Sequence, residues 1–182
     1  MGTTSTNADG TLTHYGTRKA DDYQPLTPGS GFKGTGTLFY SGTSVDGGMQ
    51  KTTIFIDLTG AASSTTDLDI IGTSGASTLG LLGNKCGTTC VALQMTCLEA
   101  PAGGVTDIDL YEATESTGAF DGGIAALTET ALITSGAAWT NGAVKAATTC
   151  PVIGRYLYLT GGAAGTAATY TAGKFLIEIW CI

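Results

Sequence analysis

Two stretches near the carboxyl end decide the fold, Arg155-Tyr-Leu-Tyr-Leu-Thr160 and Lys174-Phe-Leu-Ile-Glu-Ile-Trp180. In the second stretch Phe175, Ile177 and Ile179 alternate with residues of mixed polarity, which is the period-two pattern of a strand with one wetter face. Because its residues are mostly β-branched, aromatic or Leu, the pattern favours a strand over a helix. We predict a terminal hairpin whose second strand lies in the middle of a sheet.

Short apolar runs separated by clusters of Gly, Ser and Asp continue toward the N-terminus, which is typical of an all-β domain. The further predicted strands are residues 37–40, 50–58, 67–71 (at an edge), 91–98, 105–113 and 131–134. In the run 91–98 the odd-numbered residues are expected to face inward. Residues 124–135 also fit a short helix, and we favour the strand. With the hairpin this gives about eight strands and predicts an all-β, β-sandwich or jelly-roll-like domain.

The first 36 residues form a segment of different composition. Its apolar residues are few, mainly Leu12, Leu26 and Phe32, and it is rich in polar residues, Pro and Gly. Such a segment does not build a core of its own. A disordered tail is one reading, and we favour an extended arm that lies on another subunit. The predicted division is an N-terminal arm and hinge at 1–36 and a β-sandwich body at 37–182.

The run Gly29-Ser-Gly-Phe-Lys-Gly34 matches the spacing of a dinucleotide-binding loop. That function requires a strand before the run and a helix after it, so that the helix N-terminus meets the pyrophosphate. Here Pro25 and Pro28 precede the run and a predicted strand follows it. We therefore interpret the run as a flexible hinge between the arm and the body.

The composition restricts the class of protein. With 182 residues the chain fits one domain. Charged residues make up 13% of it and the net charge is −7, which argues against nucleic-acid binding because phosphate contacts need clustered Lys and Arg. No run of 18 apolar residues predicts a membrane span. The first 13 residues are polar and do not resemble a signal peptide, so we expect synthesis in the cytoplasm.

Five cysteines stand at positions 86, 90, 97, 150 and 181. An odd number without a signal peptide argues against a disulfide framework. Cys86 and Cys90 have a spacing that could hold a metal, but no nearby His or Cys pair completes four ligands. We expect buried thiols that behave as small apolar residues, with a Cys86–Cys90 or Cys90–Cys97 bridge as the alternative. No cofactor or metal is predicted.

Catalytic candidates are sparse. The only histidine, His14, lies in the predicted arm, outside the core in which a catalytic triad would be held. Two carboxylate pairs, Asp67/Asp69 and Asp107/Asp109, could serve a glycosidase or a calcium site if they converged. We interpret them as parts of a solvated outer face that discourages edge-to-edge pairing. The prediction is a protein that is not an enzyme.

A small basic and aromatic cluster lies within the arm. It consists of His14, Tyr15, Arg18, Lys19 and Tyr23. We expect the two tyrosines to anchor the arm on a partner while the cations meet acidic groups there.

Large aromatic residues of the body have two interpretations. Trp139, Trp180, Tyr156 and Tyr158 could line a sugar-binding platform, or they could fill the core or a subunit contact. We favour the second interpretation and expect Tyr156, Tyr158 and Trp180 at subunit contacts.

Three stretches carry a resemblance to a known class: Lys51-Thr-Thr-Ile-Phe-Ile-Asp-Leu-Thr-Gly60, Arg155-Tyr-Leu-Tyr-Leu-Thr-Gly-Gly162 and Gly173-Lys-Phe-Leu-Ile-Glu-Ile-Trp180. The chain resembles small virion structural proteins of marine tailed bacteriophages, which are short, acidic, all-β and rich in Gly, Ala and Thr. The resemblance implies a head decoration (cement) protein on the capsid surface, whose arm grips the major capsid protein and whose body forms a homotrimer. The alternative is a receptor- or carbohydrate-binding module of a fibre or knob.

Overall fold

The computed structural model describes residues 3–6, 12–15, 26–32, 38–46, 49–165 and 167–182. This part of the chain contains thirteen strands and three short 3-10 helices, at Ser30–Phe32, Asn84–Cys86 and Ile124–Ala126. The strands are β1 Thr3–Thr6, β2 Leu12–Tyr15, β3 Leu38–Asp46, β4 Met49–Asp57, β5 Ala62–Ser63, β6 Gly80–Leu81, β7 Cys90–Ala102, β8 Ile108–Ala113, β9 Glu129–Ile133, β10 Val144–Ala146, β11 Tyr156–Gly161, β12 Ala168–Thr169 and β13 Ala172–Cys181. The predicted all-β class is confirmed.

The larger sheet has five antiparallel strands in the order β10-β7-β13-β4-β3. Strand β13 lies at its centre, as predicted, and pairs with β7 on one side and β4 on the other. The alternation in its sequence becomes an alternation in burial, because Phe175, Ile177 and Ile179 are all fully buried. Ile177 lies opposite both Ile54 and Met95, so three apolar side chains form one row on the inner face.

The second sheet has four strands in the order β6-β11-β8-β9. It contains β11, so the predicted hairpin between β11 and β13 is wrong: the two strands belong to different sheets. Each has a better partner elsewhere, since β11 pairs with β8 over all of Tyr156–Gly161. Tyr170 fastens the connection between them, because its buried hydroxyl donates a hydrogen bond to the carbonyl of Val105 at 2.8 Å.

The inner faces of these two sheets pack against one another in a single apolar cluster, which makes the body a sandwich. Trp139 lies in this core, where its ring meets Phe175 edge-on at 5.3 Å between centroids. Its indole N–H donates to the carbonyl of Ile108 at 2.8 Å, so the only polar atom of the side chain is satisfied. The finer expectation of jelly-roll connectivity stays a prediction.

A second, smaller cluster covers the other face of the four-stranded sheet. It consists of Ile70, Tyr111, Ala113, Ile124 and Tyr158. Strand β8 is consequently buried on both faces. Residues 67–71, expected as an edge strand, form isolated bridges instead of a continuous strand, and backbone hydrogen bonds to Leu159 and Gly161 place them along the edge of β11.

Residues 26–32, which the sequence pattern assigns to the arm and hinge, pack into the body. Leu26 and Phe32 are buried in the main core. The amide of Gly29 donates to the carbonyl of Thr78 at 2.8 Å, and a Cβ at Gly29 would lie 2.3 Å from the carbonyl oxygen of Ala76. The glycines at 29 and 31 therefore permit close backbone packing. Residues 26–32 are part of the packed body and not the flexible hinge that was expected.

Two local predictions also change. Strand β3 continues beyond the predicted residues 37–40 to Asp46 and pairs with β4 along its whole length. Val91 is 43% exposed instead of facing inward, because a β-bulge shifts the register between β7 and β13 beside it. The strands predicted at 50–58, 91–98 and 131–134 are confirmed within a few residues.

Candidate functional site

The surface of most interest is the outer side of the five-stranded sheet, which we call the outer face. It is formed by alternate residues of four strands: Lys51, Thr53, Phe55 and Asp57 of β4, Ala92, Gln94 and Thr96 of β7, Val144 and Ala146 of β10, and Lys174, Leu176, Glu178 and Trp180 of β13. The side chains of β13 on this face are all half-buried, in contrast to the fully buried residues between them.

One row across the outer face is apolar. The register places Leu176 between Phe55 of β4 and Thr96 of β7, and Thr96 lies opposite Val144 of β10. Val144 is 55% exposed. Cross-strand neighbours of this kind pack side by side on the pleated surface, so Phe55, Leu176 and Val144 present a mainly apolar strip, interrupted by the Thr96 hydroxyl, to the solvent.

The next rows combine an aromatic ring with charges that are already paired. The Nζ atom of Lys51 lies 5.9 Å from the centroid of the Trp180 ring, a cation–π contact, and 2.7 Å from Oε1 of Glu178. The other carboxylate oxygen of Glu178 accepts a hydrogen bond from Nε2 of Gln94, also at 2.7 Å. The hydrogen bond from Lys51 is the main cause that holds the pKa of Glu178 below its ordinary value.

A second cation pairs at the far end of the same face. Nζ of Lys174 donates to a carboxylate oxygen of Glu99 and lies 4.0 Å from Oδ2 of Asp57. The hydrogen bond to Glu99 raises the pKa of Lys174 above its ordinary value. The two lysines are thus compensated within the sheet, and the aromatic, aliphatic and threonine groups remain to contact a partner. Depletion of unpaired charge together with aromatic residues characterises the centre of protein interfaces.

Carboxylates also gather at one end of the four-stranded sheet, and here a prediction is wrong. Asp69, Asp107 and Asp109 are buried and do not form a solvated face. Only Asp67 of the four is exposed. Oδ1 of Asp109 accepts a hydrogen bond from the amide of Ser135 at 2.5 Å. Gly162 allows the approach, since a Cβ there would lie 2.7 Å from Oδ1 of Asp109 and 2.8 Å from Oδ1 of Asp107.

Burial is the main cause that raises the pKa of Asp109, with Asp107 and Asp67 adding to it and the Ser135 amide opposing it. Oδ1 of Asp107 has no hydrogen-bond partner among the described residues. The carboxyl borders a shallow cleft of about 370 Å³ lined also by Val105, Ala163 and Ala164. No three His, Cys, Asp or Glu residues of the described chain are grouped so that they could hold a metal ion.

The aromatic residues predicted at subunit contacts are not brought together. Trp180 lies on the outer face, whereas Tyr156 is half-buried on the other sheet. The expected subunit contact of Tyr158 is corrected, because this side chain is fully buried within the chain. Its hydroxyl donates to the carbonyl of Glu115 at 2.7 Å and accepts from the amide of Gly118 at 3.3 Å. The side chain of Tyr158 has no surface to offer a second subunit.

Part of the predicted arm cluster falls within the described chain. His14 and Tyr15 belong to β2, where they pair with Thr4 and Thr3 of β1. Arg18, Lys19 and Tyr23 lie outside the described residues. Sequence reasoning did not single out Phe55 and Leu176, although each stands at an alternate position of a strand that it predicted.

Comparison of the chain with known protein families, with curated proteins and with solved structures found no match. In the described part of the chain, no helix is long and apolar enough to cross a membrane. The sandwich and its outer face are therefore the features from which a function can be inferred.

Proposed function

We propose that this chain is a non-enzymatic virion structural protein, a capsid decoration (cement) protein that binds the outer surface of a phage head and stabilises the shell. The observation that carries the proposal is the outer face, on which Lys51 and Lys174 are paired within the sheet while Phe55, Leu176 and Trp180 remain available for contact. A protein that functions by being held against others needs a surface of this kind.

The size of the outer face fits a specific protein contact. Strands β4, β7 and β13, spaced about 4.8 Å apart and about 30 Å long, together with the three residues of β10, present roughly 500 Å². A standard interface buries about 800 Å² on each partner. The face alone therefore supplies most of one such interface, and an arm would add the rest.

The N-terminal segment has the second role in this proposal. Its basic and aromatic residues, His14, Tyr15, Arg18, Lys19 and Tyr23, contact the major capsid protein. Because Leu26 packs in the core and β1 folds back on β2, the reach is set by residues 12–25, which span about 45 Å when extended. Such a span is long enough to bridge neighbouring capsid subunits. A homotrimer, with Trp180 and Tyr156 near the subunit contacts, places three arms around one capsid axis.

Binding to empty heads tests the proposal. Heads assembled from the major capsid protein of the same phage are mixed with the purified chain and separated on a gradient. The full chain should sediment with the heads, and a chain lacking residues 1–25 should not. The deletion stops at residue 25 because Leu26 belongs to the core. Its thermal unfolding should match that of the full chain.

A matched pair of variants tests the outer face. Leu176→Lys places an unpaired charge in the apolar row, and burying it against a partner costs several kcal/mol, so head binding should weaken about a hundredfold or more. Val152→Lys introduces the same charge at an exposed site off this face and should bind normally. Equal binding by both variants and the truncated chain would contradict the proposal.

A receptor- or carbohydrate-binding module is the second candidate. The half-buried ring of Trp180 lies between Lys51 and Ala92, one row from the polar groups of Gln94, Thr53 and Glu178, and such a ring can support a sugar. Glycan binding that is lost in Trp180→Ala, without binding to heads, would favour this candidate.

A further inference from the structure

Two buried thiols meet at one end of the five-stranded sheet. Cys90 begins β7 and Cys181 ends β13, and they are register partners. Their Sγ atoms are 2.7 Å apart. This is closer than two thiols that merely touch, and approaches the length of about 2.05 Å of a disulfide bond.

The β-bulge in β7 produces this alignment. Trp180 lies opposite Ala92, but the next residue, Cys181, lies opposite Cys90, so that Val91 has no partner on β13. Without the bulge, Cys181 would face Val91. Directly opposed residues of antiparallel strands have Cα atoms about 4.5–5.5 Å apart, within the range of about 4.4–6.8 Å that disulfides require.

The surrounding backbone holds both cysteines in place. The amide of Ile182 donates to the carbonyl of Thr89 at 2.9 Å, and the amide of Thr88 donates to the carbonyl of Ile182 at 2.9 Å. Gly87, with a φ of +114°, packs so closely that a Cβ there would lie 2.4 Å from Cβ of Cys181. The thiols therefore have little room to separate.

We propose that Cys90 and Cys181 form a cross-strand disulfide when the chain folds in the presence of a disulfide oxidant. In this exchange one cysteine thiol loses its proton, and its thiolate attacks the oxidant RSSR and releases RS⁻, which takes up a proton. The second cysteine likewise loses its proton, attacks the mixed disulfide and releases a second RS⁻, so that two RSH are formed in total. Two thiols are oxidised and one disulfide of the oxidant is reduced. The inference is independent of the proposed capsid function.

The bridge leaves three of the five cysteines, Cys86, Cys97 and Cys150, as thiols. The alternative Cys90–Cys97 bridge is wrong, since the two residues lie seven apart on one strand, about 23 Å. Cys86 is buried nearby and is the competitor for Cys181. Burial raises the pKa of Cys90 and Cys181, which makes the thiolates scarce in the folded chain. The exchange is therefore fastest during folding.

Refolding under two conditions tests the proposal. The full chain is refolded with a phosphine reductant or with a mixture of oxidised and reduced glutathione, and free thiols are then alkylated in denaturant and mapped by mass spectrometry. The oxidised sample should contain one peptide pair that joins Cys90 to Cys181, and three alkylated cysteines. Closing so long a loop should raise the Tm by about 10 °C. Five alkylated cysteines, or a bridge that includes Cys86 or Cys150, would overturn the proposal.

Single substitutions give the controls. Cys181→Ala should lose the difference in Tm between oxidised and reduced samples. Cys97→Ala, a buried cysteine of the same strand as Cys90, should keep it. Cys150→Ala removes the exposed thiol, so a gain that persists in this variant does not come from intermolecular bridges. The opposite pattern, with the gain kept by Cys181→Ala, would refute the pairing.

Discussion

Two carboxyl groups, those of Asp109 and Glu112, show how burial changes the pKa of a side chain in this protein. Asp109 and Glu112 both lie on β8, which is covered on its two faces. Burial raises the pKa of each carboxyl. Neighbouring groups offset part of the cost of burying the charged carboxylate. Glu112 accepts a hydrogen bond from the amide of Val152 at 2.8 Å and lies 3.6 Å from Nε of Arg155. Among the described residues Asp109 forms no ion pair within 4.0 Å, and the cation that lowers its pKa, Lys145, acts from farther away, so its charge is the less well compensated.

The pH dependence of stability follows from the direction of the Asp109 shift. A folded-state pKa above the unfolded value means that the folded chain binds a proton more tightly than the unfolded chain does. The contribution of Asp109 to the free energy of unfolding therefore falls as pH rises from about 3.9 through the folded pKa. Asp109→Asn removes the titration and keeps an oxygen for the Ser135 amide. We expect this variant to have an unchanged or higher free energy of unfolding at pH 7. Acidification should raise its free energy of unfolding less than that of the unsubstituted chain. Urea unfolding of both chains between pH 4 and 8 measures the difference.

The control for that prediction uses an exposed carboxylate. Glu115 accepts hydrogen bonds from the Thr128 side chain and amide, which lower its pKa to about 2. Glu115→Gln should therefore shift stability with pH in the opposite direction from Asp109→Asn. If the two substitutions changed the pH dependence of the free energy of unfolding in the same direction, the assigned directions of the two pKa shifts would be contradicted.

Among the elements, β13 organises the body. Its inner residues join the main core, and its outer residues form the middle of the outer face. This strand was predictable because its alternation is local and long. The partner of β11 was not predictable in the same way, since the choice between β8 and β13 depends on contacts far apart in sequence. The burial of Asp107 and Asp109 likewise depends on Gly162 and Ser135, which come from other segments.

Neighbouring residues of β13 should respond very differently to truncation. Ile177→Ala opens a cavity between Ile54 and Met95 and should cost about 2–5 kcal/mol in the free energy of unfolding. Leu176→Ala, on the outer face, should cost less than about 1 kcal/mol because it loses only cross-strand contacts. Denaturant unfolding measures both. Similar losses would mean that the two faces of the strand are not distinguished as the structure describes.

At the scale of the whole molecule, the two sheets differ in how they are covered. The four-stranded sheet carries a second apolar cluster on its far side, formed by the chain's own connections. The five-stranded sheet keeps half-buried apolar residues on its outer face. The sequence was sufficient for the class of fold, and the subunit contact at Trp180 stays a prediction. It was insufficient for the outer face as a unit, because a face combines residues of strands whose order is not local.

The most direct test of the central claim is an electron cryomicroscopy map of heads incubated with the full chain. We predict added density on the outer capsid surface, with the outer face of β13 and its neighbours against the shell or an adjacent copy and the N-terminal segment along the major capsid protein. Heads that bind no chain, or a bound chain whose outer face points to solvent and whose N-terminus does not touch the shell, would contradict the account.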